Sequence, residues 1–279
     1  MIGDLTLVGD LTNINEEKIF EKIKNLNEFK AFGVDKVSNS VLKNCARSFV
    51  KPLKLIVDKS LNTVEVPKEW GEANVTPIFK KGSKLFAANY RPVSLTSSVC
   101  KLLESIVRDN IMKYLQLKKL VTPSQHGFVP NKSCLTNLLE TLDIITDAIN
   151  KGDSVDLVLL DFAKAFDKVS HVKLIRKLES YGINSVLVRW IKSFLANRKQ
   201  RVVIGDSSSN WEDVTSSVPQ GSVLGPLFFT IFINDLPDKA KNQCKLYADD
   251  CKLIGIIKKD EDVQVIQKDI DELQLWAKN

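Results

Sequence analysis

Three aspartates are the residues of this sequence best suited to chemistry. Asp161 follows Val155–Leu160, a run of β-forming residues that predicts a buried strand with the carboxylate at its tip. Asp249 and Asp250 are adjacent between two further apolar runs, which predicts a hairpin with both acids in its turn. Taken singly, Asp161 could cap a helix and the pair could be a solvated turn.

The three acids together suit a site for divalent metal ions. Mg²⁺ prefers oxygen ligands and is usually held by a few carboxylates, water and substrate phosphates. Two such ions can stabilise both the attacking and the leaving oxygen of an in-line phosphoryl displacement. Because Asp161 and Asp249 are far apart in the sequence, they can share ions only if their strands are neighbours in one sheet.

The chain contains few of the residues that other kinds of active site require. It contains two histidines, five cysteines and no C-x-x-C pair, which leaves almost nothing for a zinc site or a Ser-His-Asp triad. The odd number of cysteines argues against a disulfide framework and predicts buried, reduced thiols. The net charge of +6 suits a polyanionic partner, although many unrelated enzymes share it.

The composition predicts a soluble, intracellular protein with no membrane partner. Hydrophobic residues make up 44% of the chain and charged residues 27%, which are ordinary values for a globular protein. Met1–Asp10 does not have the pattern of a signal peptide. The longest apolar stretch, Leu224–Ile233, contains Gly225 and Pro226 and is too short to cross a bilayer.

Helices mainly in the first half of the chain, and short strands between and after them, would have to position the acids. The predicted helical faces contain Ile19, Ile23 and Leu26; Val41, Leu42, Cys45 and Phe49; Val99, Leu102, Leu103, Ile106 and Val107; Leu135, Leu138, Leu139, Leu142, Ile145 and Ile149; and Leu227–Ile233, with a further helix opened by Pro52. Strands are predicted at Val75–Phe79, Tyr90–Leu95, Arg201–Ile204, Trp211–Val214, Cys244–Ala248 and Cys251–Ile256. This mixture is typical of an α+β fold.

Three segments resemble motifs A, B and C of reverse transcriptases, in the order found in that family. They are Asp161–Asp167, Val218–Pro226 and Tyr247–Asp250, and their sequences are most similar to the non-LTR (LINE-like, jockey-type) retrotransposon branch. Supporting strings occur at Asn89–Leu95, Gln125–Phe128 and Ile233–Pro237. A Tyr-Ala-Asp-Asp string alone would be a weak signal, whereas three motifs in order make a strong one.

The resemblance implies a right-hand polymerase with fingers and a palm, in which an antiparallel palm sheet packs on helices. Residues 1–152 would form an N-terminal extension and the fingers. Residues 153–279 would form the palm with part of the fingers, ending before the end of motif D and without a thumb. Endonuclease and thumb regions are therefore expected in a full-length polyprotein.

The resemblance also implies a role for each matching residue. Asp161 and Asp249 would bind two Mg²⁺ ions (Mn²⁺ is possible), with Asp250 beside them and the Phe162 carbonyl as a further ligand. The dNTP would be contacted by Lys80, Arg91, Phe166, Gln220 and Gly221. Arginine offers a fork to phosphate oxygens, lysine acts as a point charge, and an aromatic wall would exclude a ribose 2′-hydroxyl. Lys81 could take the role of Lys80. The simpler alternatives are a solvated loop for Lys80, a core aromatic for Phe166 and an ordinary turn for Gly221.

The function implied is RNA-directed DNA polymerase activity, with an RNA template, a DNA primer and dNTPs as partners. A catalytically silent relic that only binds nucleic acid is one alternative, and a polymerase of another branch is a second. The aromatic Phe166 argues against an RNA polymerase, which must admit the ribose hydroxyl. The chain departs from the family wording at Val129, Cys134 and Ser170, and at Ser217, where glycine often precedes motif B.

Overall fold

The computed structural model describes residues 14–278 and divides the chain into two units. Unit 1 contains the residues up to Lys118 together with Phe166–Leu227, and unit 2 contains Lys119–Ala165 together with the residues from Phe228 onward. Each unit is formed by two separate stretches of the chain. The sequence-based division instead has a single boundary, between residues 152 and 153. The assignment of fingers and palm to those ranges stays a prediction, and the signal-peptide argument at Met1–Asp10 lies outside the described residues.

Helices and short strands alternate along the chain, as the sequence predicts. The helices are α1 (Glu16–Lys24), α2 (Asn39–Asn44), α3 (Ala46–Thr63), α4 (Lys68–Gly71), α5 (Ser98–Leu117), α6 (Cys134–Asn150), α7 (His171–Ser180), α8 (Ser185–Leu195), α9 (Leu224–Ile233) and α10 (Asp260–Lys278). The strands are β1 (Glu72–Phe79), β2 (Tyr90–Leu95), β3 (Ser154–Asp161), β4 (Arg198–Ile204), β5 (Ser207–Ser208), β6 (Glu212–Val214), β7 (Gln243–Tyr247) and β8 (Asp250–Ile257). None of the helices in residues 14–278 is both long and apolar enough to cross a membrane.

Unit 1 combines a helical core with a mixed sheet. The sheet has the order β2-β1-β4, with β5 and β6 both pairing β4, and β1 and β4 run parallel. β1 pairs with β2 and β4 pairs with β6, which confirms the strands predicted at these places. The core includes Trp190 and Phe194, whose stacked rings are fully buried.

The prediction that Pro52 opens a helix is wrong, because Pro52 lies within α3. A proline inside a helix removes one backbone hydrogen bond and costs about 3 kcal/mol. The buried face of α3, which includes Val50, Leu53 and Val57, continues on both sides of the exposed proline. Burial of that continuous face offsets the local cost.

Unit 2 is built on the antiparallel sheet β3-β8-β7. One face of this sheet is apolar and buried, with Leu246, Cys251 and Leu253 in the core. The helix α10 contacts β8 closely, since a Cβ added to Gly255 would lie 2.2 Å from the Cδ1 atom of Ile266. The sheet therefore forms a firm base for the hairpin between β7 and β8.

The prediction of a buried β3 is wrong, and the predicted helix α6 is present but exposes its apolar face. β3 is an edge strand, and its Leu157 and Leu159 are 42% and 68% exposed. On α6 the buried residues are Asn137, Thr141 and Ala148, while most of its large apolar residues are exposed: Leu135, Leu138, Leu139, Leu142 and Ile149. The reason is that α6 binds the sheet through polar side chains: Asn137 donates to the Leu246 carbonyl (3.2 Å) and accepts from Lys252 (2.6 Å). These hydrogen bonds keep the leucines on the side of the helix away from the sheet.

The expectation of buried thiols is confirmed for three of the cysteines. Cys100, Cys244 and Cys251 are buried, whereas Cys45 and Cys134 are exposed, and all five are free thiols. Cys244 and Cys251 lie on the buried face of the hairpin with their sulfur atoms 3.3 Å apart. The neighbouring Cys244 thiol and burial both raise the pKa of Cys251, which keeps that sulfur protonated.

Candidate active site

The register of unit 2 brings the motif A and motif C acids together. Asp161 is the direct partner of Asp250 in the β3–β8 pair. Directly opposed residues of an antiparallel pair project from the same face, with Cβ atoms about 4.5–5.5 Å apart. Both side chains are exposed. The strand of Asp161 and the strand that begins at Asp250 are therefore neighbours in one sheet, as a shared metal site requires.

Asp249 lies in the two-residue turn that joins β7 and β8. Tyr247 and Asp250 form the last pair of the hairpin, so Ala248 and Asp249 are its two central residues. Ala248 has a φ of 54°, in the left-handed region. Turns with a positive φ at this place match the twist of a hairpin, but they favour glycine, and an alanine there costs about 1 kcal/mol or more.

The loop before α6 contacts this turn directly. The Gln125 side chain accepts a hydrogen bond from the Ala248 N–H (3.0 Å) and lies 3.5 Å from the Ala248 carbonyl oxygen. A Cβ added to Gly127 would lie 2.2 Å from the Ala248 nitrogen, so this position accepts only glycine. The string Gln125–Phe128 resembled the family without an assigned role, and the structure places Gln125 and Gly127 in contact with Ala248 of motif C.

A charged cluster lies on the same face of the sheet, next to α6. Glu140 accepts from Lys245 at 2.7 Å, and its carboxylate is 3.3 Å from Nε2 of the buried His126. The hydrogen bond from Lys245 lowers the pKa of Glu140, and burial lowers the pKa of His126. His126 therefore stays neutral to a lower pH than an exposed histidine would.

The donor set of the hairpin fits Mg²⁺ rather than zinc. Among residues 14–278, no three His, Cys, Asp or Glu side chains lie close enough together to form a ready-made metal cage. Asp161 and Asp250 nevertheless offer facing carboxylates, with Asp249 in the adjoining turn. Mg²⁺ commonly takes one or two carboxylates and completes its shell with water and substrate phosphates.

Phe162, whose carbonyl was expected to bind metal, is held through its ring. The Trp276 ring of α10 packs edge-on against Phe162, with centroids 6.3 Å apart, and likewise against Phe232 at 5.8 Å. The Trp276 indole N–H donates to an Asp235 carboxylate oxygen at 3.2 Å. The sequence did not single out Trp276, although the Ile233–Pro237 string contains its partner Asp235.

Lys80 and Arg91 are placed on one hairpin of unit 1. Arg91 pairs with Ile78 across β1 and β2, and the Lys80 N–H donates to the Asn89 carbonyl oxygen at 2.8 Å. Both basic side chains are exposed, as is that of Lys81. The hairpin therefore presents basic groups to solvent, which suits a phosphate ligand.

Motif B is attached to the same hairpin through β2. The Gln220 carbonyl oxygen accepts from the Ser94 N–H at 2.7 Å. Gly221 has a φ of 120°, and a Cβ there would lie 2.3 Å from the Ser94 oxygen. Glycine is thus required at Gly221 by conformation and by space, and Gln220 borders a cavity of about 290 Å³ that also includes the buried Arg198.

Phe166 is joined to the start of motif B. Its carbonyl oxygen accepts from the Val218 N–H at 3.1 Å, and the next residue, Asp167, accepts through its carbonyl from the Ser216 hydroxyl at 3.1 Å. Phe166 is half-buried. The structure therefore brings Phe166 and the motif B segment together, while its role as a steric wall stays a prediction.

Glu104 is a supporting residue that the sequence analysis missed. This fully buried side chain of α5 accepts from the backbone N–H groups of Val223 (2.7 Å) and Leu224 (3.0 Å), which both lie within motif B. Its other carboxylate oxygen has no hydrogen-bond partner among the described residues. The sequence signal for this role was a glutamate among the apolar residues of α5. A carboxylate buried in that position requires hydrogen-bond donors, such as backbone N–H groups.

Comparison with a solved structure identifies the fold. A telomerase structure from Candida tropicalis, truncated from the C-terminal domain, has a TM-score of 0.53 to this chain at 12% identity, covering 86% of this chain and 53% of that one. At this identity the likeness concerns the fold alone. The fold is therefore the α+β fold of right-hand polymerases, as predicted.

Sequence comparison gives the family. Residues 78–279 match the family model described as reverse transcriptase (RNA-dependent DNA polymerase), and the chain belongs to that family. It is 32% identical to the probable RNA-directed DNA polymerase from transposon BS of Drosophila melanogaster, over 86% of this chain and 28% of that protein. It is 29% identical to the RNA-directed DNA polymerase from mobile element jockey of Drosophila funebris, over 94% of this chain and 30% of that protein.

These relatives confirm the predicted resemblance to jockey-type, non-LTR elements. The chain spans less than a third of the length of either curated relative.

Proposed function

We propose that this chain is the catalytic core of an RNA-directed DNA polymerase, which joins a dNTP to a primer 3′-hydroxyl on an RNA template. The observation that carries the proposal is the pairing of Asp161 with Asp250, with Asp249 in the adjoining turn. Two carboxylates placed directly opposite each other on neighbouring strands repel unless cations offset their charge. Membership of the reverse transcriptase family supports nucleic acid as the substrate class.

Asp161, Asp249 and the Phe162 carbonyl would hold two divalent ions, Mg²⁺ or Mn²⁺, with Asp250 beside them. When bound, the ions supply charge stabilisation to the attacking and leaving oxygens of the transfer. The chain's own contribution is rigidity: the register fixes Asp161 against Asp250, and the Trp276 ring fixes Phe162. Preorganised ligands of this kind avoid a cost of reorganisation during the reaction.

The dNTP would be bound by residues of unit 1. Arg91 offers a planar fork of donors to phosphate oxygens and Lys80 a point charge, and both are exposed on one hairpin. Gly221 would allow the backbone to approach the nucleotide closely, with Gln220 beside it. Phe166 would exclude a ribose 2′-hydroxyl, because an aromatic wall neither accepts its hydrogen bond nor leaves room for it.

The partners would be an RNA template, a DNA primer and dNTPs. The net charge of +6 favours a polyanion in general. Because the curated relatives are more than three times as long as the matched region, we also propose that a full-length product contains further regions, such as a thumb and an endonuclease.

Primer extension on an RNA template with dNTPs and Mg²⁺ tests the proposal. Asp249→Asn should lower the extension rate about a hundredfold or more, since the acid supports several kcal/mol of charge stabilisation. Asp206→Asn is the matched control, because Asp206 is an exposed acid in the turn between β4 and β5. Template binding without any extension, even by a version lengthened to match the relatives, would contradict the proposal and favour a silent nucleic-acid-binding relic.

A further inference from the structure

Gln125 makes paired contacts with the backbone of the motif C turn. The residue is fully buried, and its side-chain oxygen accepts from the N–H groups of Ala248 (3.0 Å) and Gly127 (2.7 Å). Its side-chain nitrogen lies 3.5 Å from the Ala248 carbonyl oxygen, a weak hydrogen bond. We propose that Gln125 is a positioning residue that holds the turn bearing Asp249 and Asp250 in its active shape.

The turn needs such support for two reasons. Ala248 has a φ of 54°, a conformation that L-residues adopt at a cost and that persists only when neighbouring contacts determine it. The hairpin also places Asp249 next to Asp250, which lies opposite Asp161, and like charges in these positions repel. Without a fixed partner, the turn would relax toward backbone shapes that separate the acids.

The rest of the Gln125 loop forms a short strand-like pairing along β7. The Leu246 N–H donates to the Ser124 carbonyl oxygen, and the His126 N–H donates to the Leu246 carbonyl oxygen, both at 2.9 Å. The absence of a side chain at Gly127 lets the loop lie directly on Ala248. Gln125 is therefore anchored through backbone on both sides, so its amide is a rigid support rather than a mobile one.

The contacts also explain why an amide suits this position. The side chain must accept from the Ala248 N–H and donate to the Ala248 carbonyl oxygen, which only an amide can do at this length. A carboxylate would lose the donor and add a negative charge close to Asp249 and Asp250. A leucine would lose both bonds and leave the Ala248 N–H buried without a partner.

The inference rests on the proposed function only for its catalytic consequence, so the first test needs no activity. Hydrogen exchange of the backbone amides in residues 244–254 should become about tenfold faster in Gln125→Leu, because a buried backbone donor loses its partner. Gln243→Leu is the matched control, since Gln243 is an exposed glutamine at the start of β7, and it should leave exchange unchanged. If Gln125→Leu fails to fold, Gln125→Asn serves instead, because it is one methylene too short to reach Ala248.

A rescue separates positioning from general core packing. A glycine at position 248 adopts a positive φ without strain. Adding Ala248→Gly to Gln125→Leu should therefore slow exchange by about threefold or more relative to Gln125→Leu alone. In primer extension, Gln125→Leu should lower kcat about tenfold with little change in the KM for dNTP. Unchanged exchange in Gln125→Leu, or no recovery on adding Ala248→Gly, would overturn the inference. If exchange responds to the substitutions as expected but no primer is extended, even by a version lengthened to match the relatives, the proposed function fails while the role of Gln125 stands.

Discussion

Ser217→Gly should stabilise the protein. Ser217 has a φ of 98°, a conformation that favours glycine, and it directly precedes motif B at a place where the resembling family often has glycine. Its backbone is fixed on both sides, because its N–H donates to the Val169 carbonyl oxygen at 3.2 Å and its own carbonyl oxygen lies 2.7 Å from Nε2 of His171. The serine therefore cannot relax without breaking these contacts.

The magnitude follows from two opposing contributions to the free energy of unfolding. A positive φ costs an L-residue about 1–2 kcal/mol, and glycine removes this cost. Glycine also increases the conformational entropy of the unfolded chain, which costs about 0.5–1 kcal/mol. The net gain is about 0.5–1 kcal/mol, which corresponds to a rise in Tm of about 1–3 °C for a protein of this size.

Thermal unfolding followed by circular dichroism measures the effect, with Ser216→Gly as the matched control. Ser216 is not among the residues with a positive φ, and its hydroxyl donates to the Asp167 carbonyl oxygen at 3.1 Å. Ser216→Gly should therefore lower stability by about 1 kcal/mol. A lower Tm for Ser217→Gly would refute the reasoning, since it would show that the serine is not strained in this backbone conformation.

Three further predictions concern the proposed reaction. Phe166→Val should lower discrimination against ribonucleotides about tenfold or more in single-nucleotide incorporation, and unchanged sugar discrimination would exclude a role as a steric wall. Arg91→Ala should raise the KM for dNTP about tenfold with primer–template affinity unchanged, whereas an equal loss of both would place Arg91 on the nucleic acid or in the fold. Trp276→Leu should weaken Mn²⁺ binding, measured by electron paramagnetic resonance, about threefold to tenfold. Trp276→Phe should retain most of the affinity, and equal binding by both variants and the wild type would show that the ring does not position Phe162.

Local patterns predicted most elements correctly because they depend on neighbouring residues. The strands around Asp249 and Asp250, the hairpin at β1–β2 and the helix α9 follow from runs of β-forming or apolar residues between turn residues. Motif order gave the family and the fold class, which the comparisons confirm. The roles of the individual site residues stay predictions.

Periodicity failed where the partner of a face had to be known. The leucines of α6 have helical spacing, yet the helix packs through Asn137 and Thr141, because the sheet beneath it offers the Lys252 ammonium and the Leu246 carbonyl oxygen. A pattern shows that a helix has two faces, and only the packed structure shows which one is buried.

The sequence by itself determined that Asp161 ends a strand, that Asp249 and Asp250 lie at the turn of a hairpin, and that carboxylates are the residues best suited to chemistry, because residue type and local spacing contain that information. Only the tertiary structure decided the pairing of Asp161 with Asp250 and the support of the turn by Gln125. Both depend on strand register and loop placement between residues roughly a hundred positions apart in the chain. Such contacts are set by the packing of the whole unit, to which no local pattern gives access.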